Sequence, residues 1–253
     1  MHDYKNACRK IWRGYQTYAK GASVIRTGFE SIGASVVAND SLNLNKTFFR
    51  RGESILEHQA KTAWLASVFM SNFPDYFGIE TTHKYSMGDW LIIITALCHD
   101  VGELEIGDIP DDGNPLHDAK DETELLAFAD FIKAYSYVDQ GELFKLFDAF
   151  QQKNSNAGRA LYALDKTEAV LTNLLLEKHG IKGSLENKKN PTSRDLFFAK
   201  AIGSELAADI WGAQMSARIK GYPPYIAKPI FTLLNTAAYD VRGEEFSWAQ
   251  DVP

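Results

Sequence analysis

The chain has few cysteines and no long apolar run. Its 253 residues include only Cys8 and Cys98, so the sequence offers no disulfide framework and favours a reducing compartment. The longest largely apolar run extends from Trp90 to Cys98, far short of the roughly 20 residues that cross a bilayer as a helix. Residues 1–5 carry no apolar segment typical of a signal peptide. These absences predict a cytoplasmic protein with no membrane partner.

The sequence also lacks an excess of positive charge. It has 27 Lys and Arg against 33 Asp and Glu, which gives a formal net charge of -6. Because coating a nucleic acid requires many phosphate contacts from Lys and Arg, we discount polymeric DNA or RNA as the main partner. An acidic protein can still bind a small phosphorylated ligand in a local basic pocket. The hydrophobic content of 45% is ordinary for a globular protein and argues against disorder.

Strand-like alternation is scarce, whereas apolar residues recur at intervals of three and four, as in amphipathic helices. Helices are predicted at about 3–20, 53–73, 86–99, 118–136, 141–152, 156–179, 193–220 and 223–239. The intervening segments 34–46, 105–117 and 180–192 are predicted loops, and none has the length of a flexible linker. With no internal repeat, the sequence predicts one all-α domain over residues 1–253.

The adjacent pair His99-Asp100 follows the apolar stretch that ends at Cys98. A charged group against an apolar helix is costly unless something pairs with it. A cation would pair with both side chains, since imidazole nitrogen and carboxylate oxygen together suit divalent metals. Two protein ligands are too few to hold a divalent ion, so further ligands must come from elsewhere in the chain.

His58 and Asp165 are the candidates for those further ligands. His58 shares a helical face with Ile55, Thr62 and Leu65, which places it towards the core. Asp165 lies on another amphipathic helix, and buried acidic residues rarely stay unpaired. Taken singly, His58 is more often a hydrogen-bonded core residue, and Asp165 an ordinary partner of a neighbouring lysine. Only the combination of His58, His99-Asp100 and Asp165 indicates a metal site.

This combination resembles the HD superfamily, whose pattern is a His, a His-Asp pair and a distant Asp, all on helices. It is most similar to the 5'-deoxynucleotidase-like branch over about residues 26–171. The C-terminal helices, about 193–240, form an extension without a family motif. The matching motifs are Arg51-Gly-Glu-Ser-Ile-Leu-Glu-His58, His99-Asp-Val-Gly-Glu103, Gly107-Asp-Ile-Pro110, Lys120 with Glu122 and Glu124, and Leu164-Asp-Lys166.

The resemblance implies an all-α HD-domain fold and one divalent metal ion, which could be Mn, Co, Ni, Fe, Zn or Mg. It assigns a catalytic role to Glu103, which we interpret as the general acid or base, and places Asp108 in the site. The metal ligands it implies are His58, His99, Asp100 and Asp165.

Phosphate binding needs cations, and the candidates are Arg51, Lys120 and Arg26. Arg51 would suit bidentate contact with a phosphate, while Lys120 would act as a point charge. The family carries an Arg-Trp pair near the N-terminus that contacts the nucleotide. The nearest counterpart here is Arg26-Thr-Gly-Phe29, so an aromatic replaces the Trp, and the chain departs from the family pattern at the position that contacts the nucleotide.

The primary hypothesis is a phosphomonoesterase that acts on (deoxy)nucleoside 5'-monophosphates. A second hypothesis keeps the enzyme class but takes a nucleotide di- or triphosphate, a phosphodiester or a non-nucleotide phosphate ester. A third is a metal-dependent nucleotide-sensing domain without turnover. The apolar stripe of the C-terminal helices, which includes Phe197, Ile210 and Trp211, could form a homodimer interface or cap the domain's own core.

Overall fold

The computed structural model describes residues 54–73, 75–78, 87–106, 116–135, 140–178, 180–187 and 191–249. Within these ranges the chain is predominantly helical and forms no β-strand, although Ser184 and Leu206 make a single antiparallel bridge. The predicted all-α fold is therefore confirmed. The predicted helix 3–20 and the predicted loop 34–46 lie outside the described residues.

The described helices agree closely with the periodicity of the sequence. They are α1 (Ile55–Asn72), α2 (Met87–Cys98), α3 (Glu103–Ile106), α4 (Leu116–Tyr135), α5 (Gln140–Gln152), α6 (Asn156–Lys178), α7 (Ser193–Ile202), α8 (Ala207–Ile219) and α9 (Pro224–Arg242). Short 3-10 turns occupy Leu185–Asn187 and Ser247–Ala249. The one-turn helix α3 was not expected from the sequence, because it is too short to show a period.

Helix α1 begins at a capping box. The Ser54 hydroxyl accepts a hydrogen bond from the Glu57 backbone N–H (3.3 Å), and the Glu57 carboxylate accepts one from the Ser54 N–H (2.9 Å). This reciprocal pair satisfies backbone donors that the first helical turn leaves open. It fixes the start of the helix one turn before His58, whose buried neighbours Ile55 and Thr62 confirm the predicted core-facing side.

Helix α6 is the central element of the fold. It packs against α1, α2, α5, α8 and α9, and most of its side chains are buried. The approach of α5 is close at Gly158, where an added Cβ would lie 2.1 Å from the Ala149 carbonyl oxygen. Because α6 is surrounded, a polar side chain in its middle faces protein rather than water, which is the setting of Asp165.

The sequence predicted a single helix over 193–220, and this was wrong. The segment forms two helices, because α7 ends at Gly203 in the left-handed conformation (φ 67°) and α8 begins at Ala207. Glycine adopts this conformation without the steric cost that other residues meet. The backbone at the start of α8 is paired outside the helix, since the Ala207 N–H donates to the Gly183 carbonyl (2.9 Å). Thr192 caps α7, because its hydroxyl accepts a hydrogen bond from the Asp195 N–H (3.1 Å).

The C-terminal helices mainly cover the protein's own core. Ile210 is buried and Trp211 packs against the core, whereas Phe197 is 66% exposed. Arg242 joins three helices by donating to both carboxylate oxygens of Glu177 (2.7 Å each) and to Asp209 (2.6 Å). Among the described residues, no helix combines the length and the apolar character needed to cross a membrane.

Candidate metal centre

Three helices bring two histidines and two aspartates to one point. His58 comes from α1, the His99-Asp100 pair follows the end of α2, and Asp165 lies in the middle of α6. His58 Nε2 lies 3.2 Å from His99 Nε2 and 2.8 Å from Asp165 Oδ1. Asp100 closes the group, with Oδ1 3.3 Å from His99 Nε2 and Oδ2 3.7 Å from His58 Nε2. The four side chains that the sequence proposed as ligands are thus adjacent.

The orientation of each imidazole ring is fixed from its far side. His99 Nδ1 lies 2.8 Å from the Ala96 carbonyl oxygen, and His58 Nδ1 lies 2.5 Å from Glu168 Oε2. Since both partners can only accept, each Nδ1 carries the proton and each Nε2 faces the shared centre. Without a cation, a proton on His58 Nε2 would bridge to Asp165, and a divalent ion would displace that proton.

The electrostatics of the centre favour bound positive charge. Burial by itself would raise the pKa of Asp165, but the charge of Lys166 and hydrogen bonds from His58 and His99 hold that pKa well below its ordinary value. The ammonium of Lys166 lies 2.8 Å from Asp165 Oδ2. Asp165 is therefore ionised at neutral pH although it is almost fully buried.

The donor set fits a divalent ion. The candidate ligand atoms of His58, His99 and Asp165 all lie within 4.8 Å of one another, and all three residues are buried. Atoms that ligate one ion at about 2.1 Å lie roughly 3.0–3.5 Å apart when adjacent, close to the spacings observed here. Two imidazole nitrogens with carboxylate oxygens suit transition metals better than an all-oxygen set would. The residues present could therefore hold one metal ion.

An HD domain family model matches residues 44–196, which is more than half of the chain and includes all four of these side chains. The chain belongs to the HD domain family. Members of this family are generally metal-dependent hydrolases. No curated protein and no solved structure gives a significant match to the chain.

Residues of α1 and α4 contact the segment that carries the His99-Asp100 pair, called the HD pair below. With its amide oriented to satisfy both neighbours, Gln59 donates to the Leu97 carbonyl (3.2 Å) and accepts from the Asp100 N–H (3.0 Å). Gly102 packs against the backbone of α4, since an added Cβ would lie 2.7 Å from the Glu124 Cα. Gln59 therefore ties the helix of His58 to the segment that carries His99 and Asp100, and Gly102 lets that segment pack directly against α4.

Glu103, the predicted catalytic residue, opens α3 directly after the HD pair. Its backbone N–H donates to the Asp100 carbonyl (3.0 Å), and it is only 4% exposed. The tight turn 99–103 thus places Glu103 in the same short segment as two candidate ligands, where a carboxylate could exchange a proton with a reacting group.

The remaining predicted site residues are not described. Arg26, Arg51 and Asp108 lie outside the described residues, and Lys120 belongs to α4 with a side chain that is not described. Their proposed roles stay predictions.

Sequence reasoning missed Glu168, which supports His58 from behind. A usable signal was present in the string Leu164-Asp-Lys-Thr-Glu168, because a spacing of three places Asp165 and Glu168 on one face of a helix. Two acidic residues on the buried face of an apolar helix indicate a shared cationic partner.

Proposed function

We propose that this protein is a metal-dependent phosphomonoesterase that removes phosphate from (deoxy)nucleoside 5'-monophosphates. The observation that supports this most strongly is the convergence of His58, His99, Asp100 and Asp165, with Glu103 in the turn that follows. A structural metal site needs only its ligands. The additional buried carboxylate of Glu103 beside the HD pair favours an enzyme over a purely structural site.

A divalent ion in this centre would lower the pKa of a water molecule and polarise the phosphoryl group. Glu103 would act as the general acid or base, taking a proton from the attacking water or giving one to the leaving sugar oxygen. Its near-complete burial would keep bulk water from competing for that proton. Asp108 is proposed to orient the water or to contact the sugar.

Positive charge beside the centre would neutralise the phosphate as the reaction proceeds. Lys166 is placed for this role, because its ammonium lies 2.8 Å from Asp165 Oδ2 while its side chain remains 31% exposed. A partly exposed lysine side chain can turn towards an incoming anion, while its contact with Asp165 keeps it beside the site. Arg51, Lys120 and Arg26 are the further cations proposed from the family motif.

A second candidate substrate is a nucleotide di- or triphosphate, or a phosphodiester. It is favoured by the cations around Tyr162, which lies one helical turn before Asp165. The Tyr162 hydroxyl accepts from Arg218 (2.7 Å), and the Lys153 and Lys166 ammonium groups lie 4.6 and 5.4 Å from its ring centroid. These three cations carry more positive charge than a single phosphate needs, and they would suit a longer polyanion.

The deciding experiment measures phosphate release from a panel of ribo- and deoxynucleoside 5'-monophosphates, with di- and triphosphates and phosphodiesters in parallel. The protein is stripped with a chelator and reloaded with manganese, cobalt, nickel, iron, zinc or magnesium. Release from monophosphates that requires metal and vanishes in Asp100→Ala would support the proposal. Preferential cleavage of a longer substrate would select the second candidate, and nucleotide binding without turnover under every metal would select a sensing domain.

We also propose a cytoplasmic location, because Cys98 is a buried free thiol and so fits a reducing compartment. A homodimer stays a prediction. Phe197, a member of the predicted apolar stripe, is 66% exposed on α7 and would be available for it, as would the neighbouring Leu196 (51% exposed).

A further inference from the structure

The Nδ1 side of His58 faces a carboxylate that contributes no atom to the candidate metal centre. Glu168 Oε2 lies 2.5 Å from His58 Nδ1, and both side chains are almost completely buried. A contact this short between an imidazole N–H and a carboxylate is a charge-assisted hydrogen bond. Since no water can compete at full burial, the bond restrains the imidazole ring strongly.

Glu168 is itself held by two further side chains. Its other oxygen, Oε1, accepts from the Thr172 hydroxyl (2.5 Å) and lies 3.1 Å from the Lys61 ammonium. Lys61 also donates to the Thr172 hydroxyl (2.8 Å), which closes the network. Both carboxylate oxygens are therefore engaged, and the carboxyl group cannot rotate without breaking a bond.

Lys61 and His58 keep the buried carboxylate charged. Burial would raise the pKa of Glu168, but the hydrogen bond and charge of His58, the charge of Lys61 and the Thr172 hydroxyl lower it to about 2. These partners offset the desolvation penalty that a buried carboxylate would face alone.

The two histidines of the centre differ in the group that accepts the hydrogen bond from Nδ1. His99 Nδ1 donates to a neutral acceptor, the Ala96 carbonyl, whereas His58 Nδ1 donates to a carboxylate. A carboxylate partner raises the basicity of an imidazole more than a carbonyl does, because it stabilises positive charge on the ring. We therefore expect Nε2 of His58 to donate its electron pair to a bound cation more strongly than Nε2 of His99.

We propose that Glu168 is a positioning residue that fixes His58 with its proton on Nδ1 and its Nε2 facing a divalent cation, and that Lys61 and Thr172 hold Glu168 in place. This inference rests on the metal site of the proposed function but not on its substrate. Loss of such a partner typically weakens metal affinity by about 10–100-fold.

The competing explanation is a structural ion pair that merely links α1 to α6 through Lys61 and Glu168. In that case Glu168→Gln would lower the stability of the metal-free protein and leave metal affinity unchanged. Glu177→Gln is a matched control, because Glu177 lies on the same helix, has a side chain only 4% exposed and pairs with Arg242. It should reduce stability without changing metal affinity.

The test measures Mn²⁺ binding to the chelator-stripped full-length protein by titration calorimetry, together with thermal unfolding of each metal-free variant. We expect Glu168→Gln to raise the Mn²⁺ dissociation constant by about 10–100-fold and Glu177→Gln to leave it unchanged. Thr172→Val, which removes one bond to Glu168 without changing charge, should raise the constant by a smaller factor.

A folded Glu168→Gln variant that binds Mn²⁺ as tightly as the unaltered protein would overturn the proposal. If that variant does not fold, an unchanged constant in Thr172→Val overturns it instead. Phosphate release is measured on the same preparations. An unaltered protein that binds Mn²⁺ but cleaves no substrate would contradict the proposed function alone, whereas failure to bind any divalent ion would contradict both.

Discussion

The Nε2 atoms of His58 and His99 face each other at 3.2 Å, although the residues are 41 positions apart in the chain. Both rings reach this arrangement because Glu168 and the Ala96 carbonyl accept hydrogen bonds from the two Nδ1 atoms. Two nitrogen lone pairs and an adjacent carboxylate repel one another unless a cation or a proton lies between them. This relationship is the physical basis of the metal dependence predicted below.

Metal binding should stabilise the fold. At a free metal concentration 100-fold above the dissociation constant, linkage predicts about 2.7 kcal/mol, which raises the melting temperature by roughly 5–10 °C for a chain of this size. Differential scanning calorimetry with and without chelator measures the difference. Asp165→Asn keeps the shape of the side chain but removes its charge, and it should abolish most of the metal-dependent shift. A shift of equal size in that variant would contradict Asp165 as a ligand.

Glu103→Gln should separate catalysis from metal binding. We expect turnover to fall by about 10²–10⁴-fold, the usual contribution of a general acid or base, while Mn²⁺ affinity stays close to that of the unaltered protein. Steady-state phosphate release and calorimetry on the same sample provide both measurements. Glu142→Gln serves as the control, because Glu142 lies on α5 outside the family motifs, its side chain is 54% exposed, and the variant should retain full activity. Parallel loss of metal binding in Glu103→Gln would instead make Glu103 a ligand.

Gly102→Ala should disturb the turn that carries the HD pair. The new Cβ would lie 2.7 Å from the Glu124 Cα, so either the turn or α4 must move. Overpacking of this kind costs about 1–3 kcal/mol, and the displaced turn should also weaken metal binding. Urea denaturation and Mn²⁺ titration test both effects. Gly221→Ala is the matched control, since no atom lies within 4 Å of its added Cβ; equal effects of the two changes would refute the steric argument.

Arg242→Ala should destabilise the C-terminal half without affecting the metal site. The change leaves the buried Glu177 carboxylate and Asp209 without their guanidinium, and breaking a pair of this kind costs about 3–5 kcal/mol when it is fully buried. Because the Arg242 side chain remains 16% exposed, we expect the free energy of unfolding, measured by urea denaturation, to fall by an amount at the lower end of that range. Arg242→Lys restores the charge but not the bidentate contact and should recover part of the loss.

Lys178→Ala gives the comparison for a surface pair in the same region. Lys178 and Asp240 lie 2.6 Å apart but are 51% and 65% exposed, so solvent screening should limit the loss to about 0–1 kcal/mol. A loss as large as that of Arg242→Ala would show that burial does not explain the difference between the two pairs.

Much of the fold followed from local pattern. The spacing of apolar residues located α1, α2, α4, α5, α6 and α9 to within a few residues, because each of these helices is long enough to show its period. The division of 193–220 did not follow from periodicity, because the apolar stripe continues across Gly203. The left-handed glycine and the pairing of Ala207 with Gly183 interrupt the helix there.

The residue types and order of His58, His99-Asp100 and Asp165 were enough to indicate a divalent metal site, because polar groups on the core-facing sides of two helices and at the end of an apolar third need a common partner. The sequence alone could not show that Glu168, Lys61 and Thr172 form a network behind His58, or that Gln59 and Gly102 hold the HD turn. Those contacts join residues from different helices, and their distances depend on how α1, α2, α4 and α6 pack. Chain order determined which groups were available, and tertiary packing decided which of them touch.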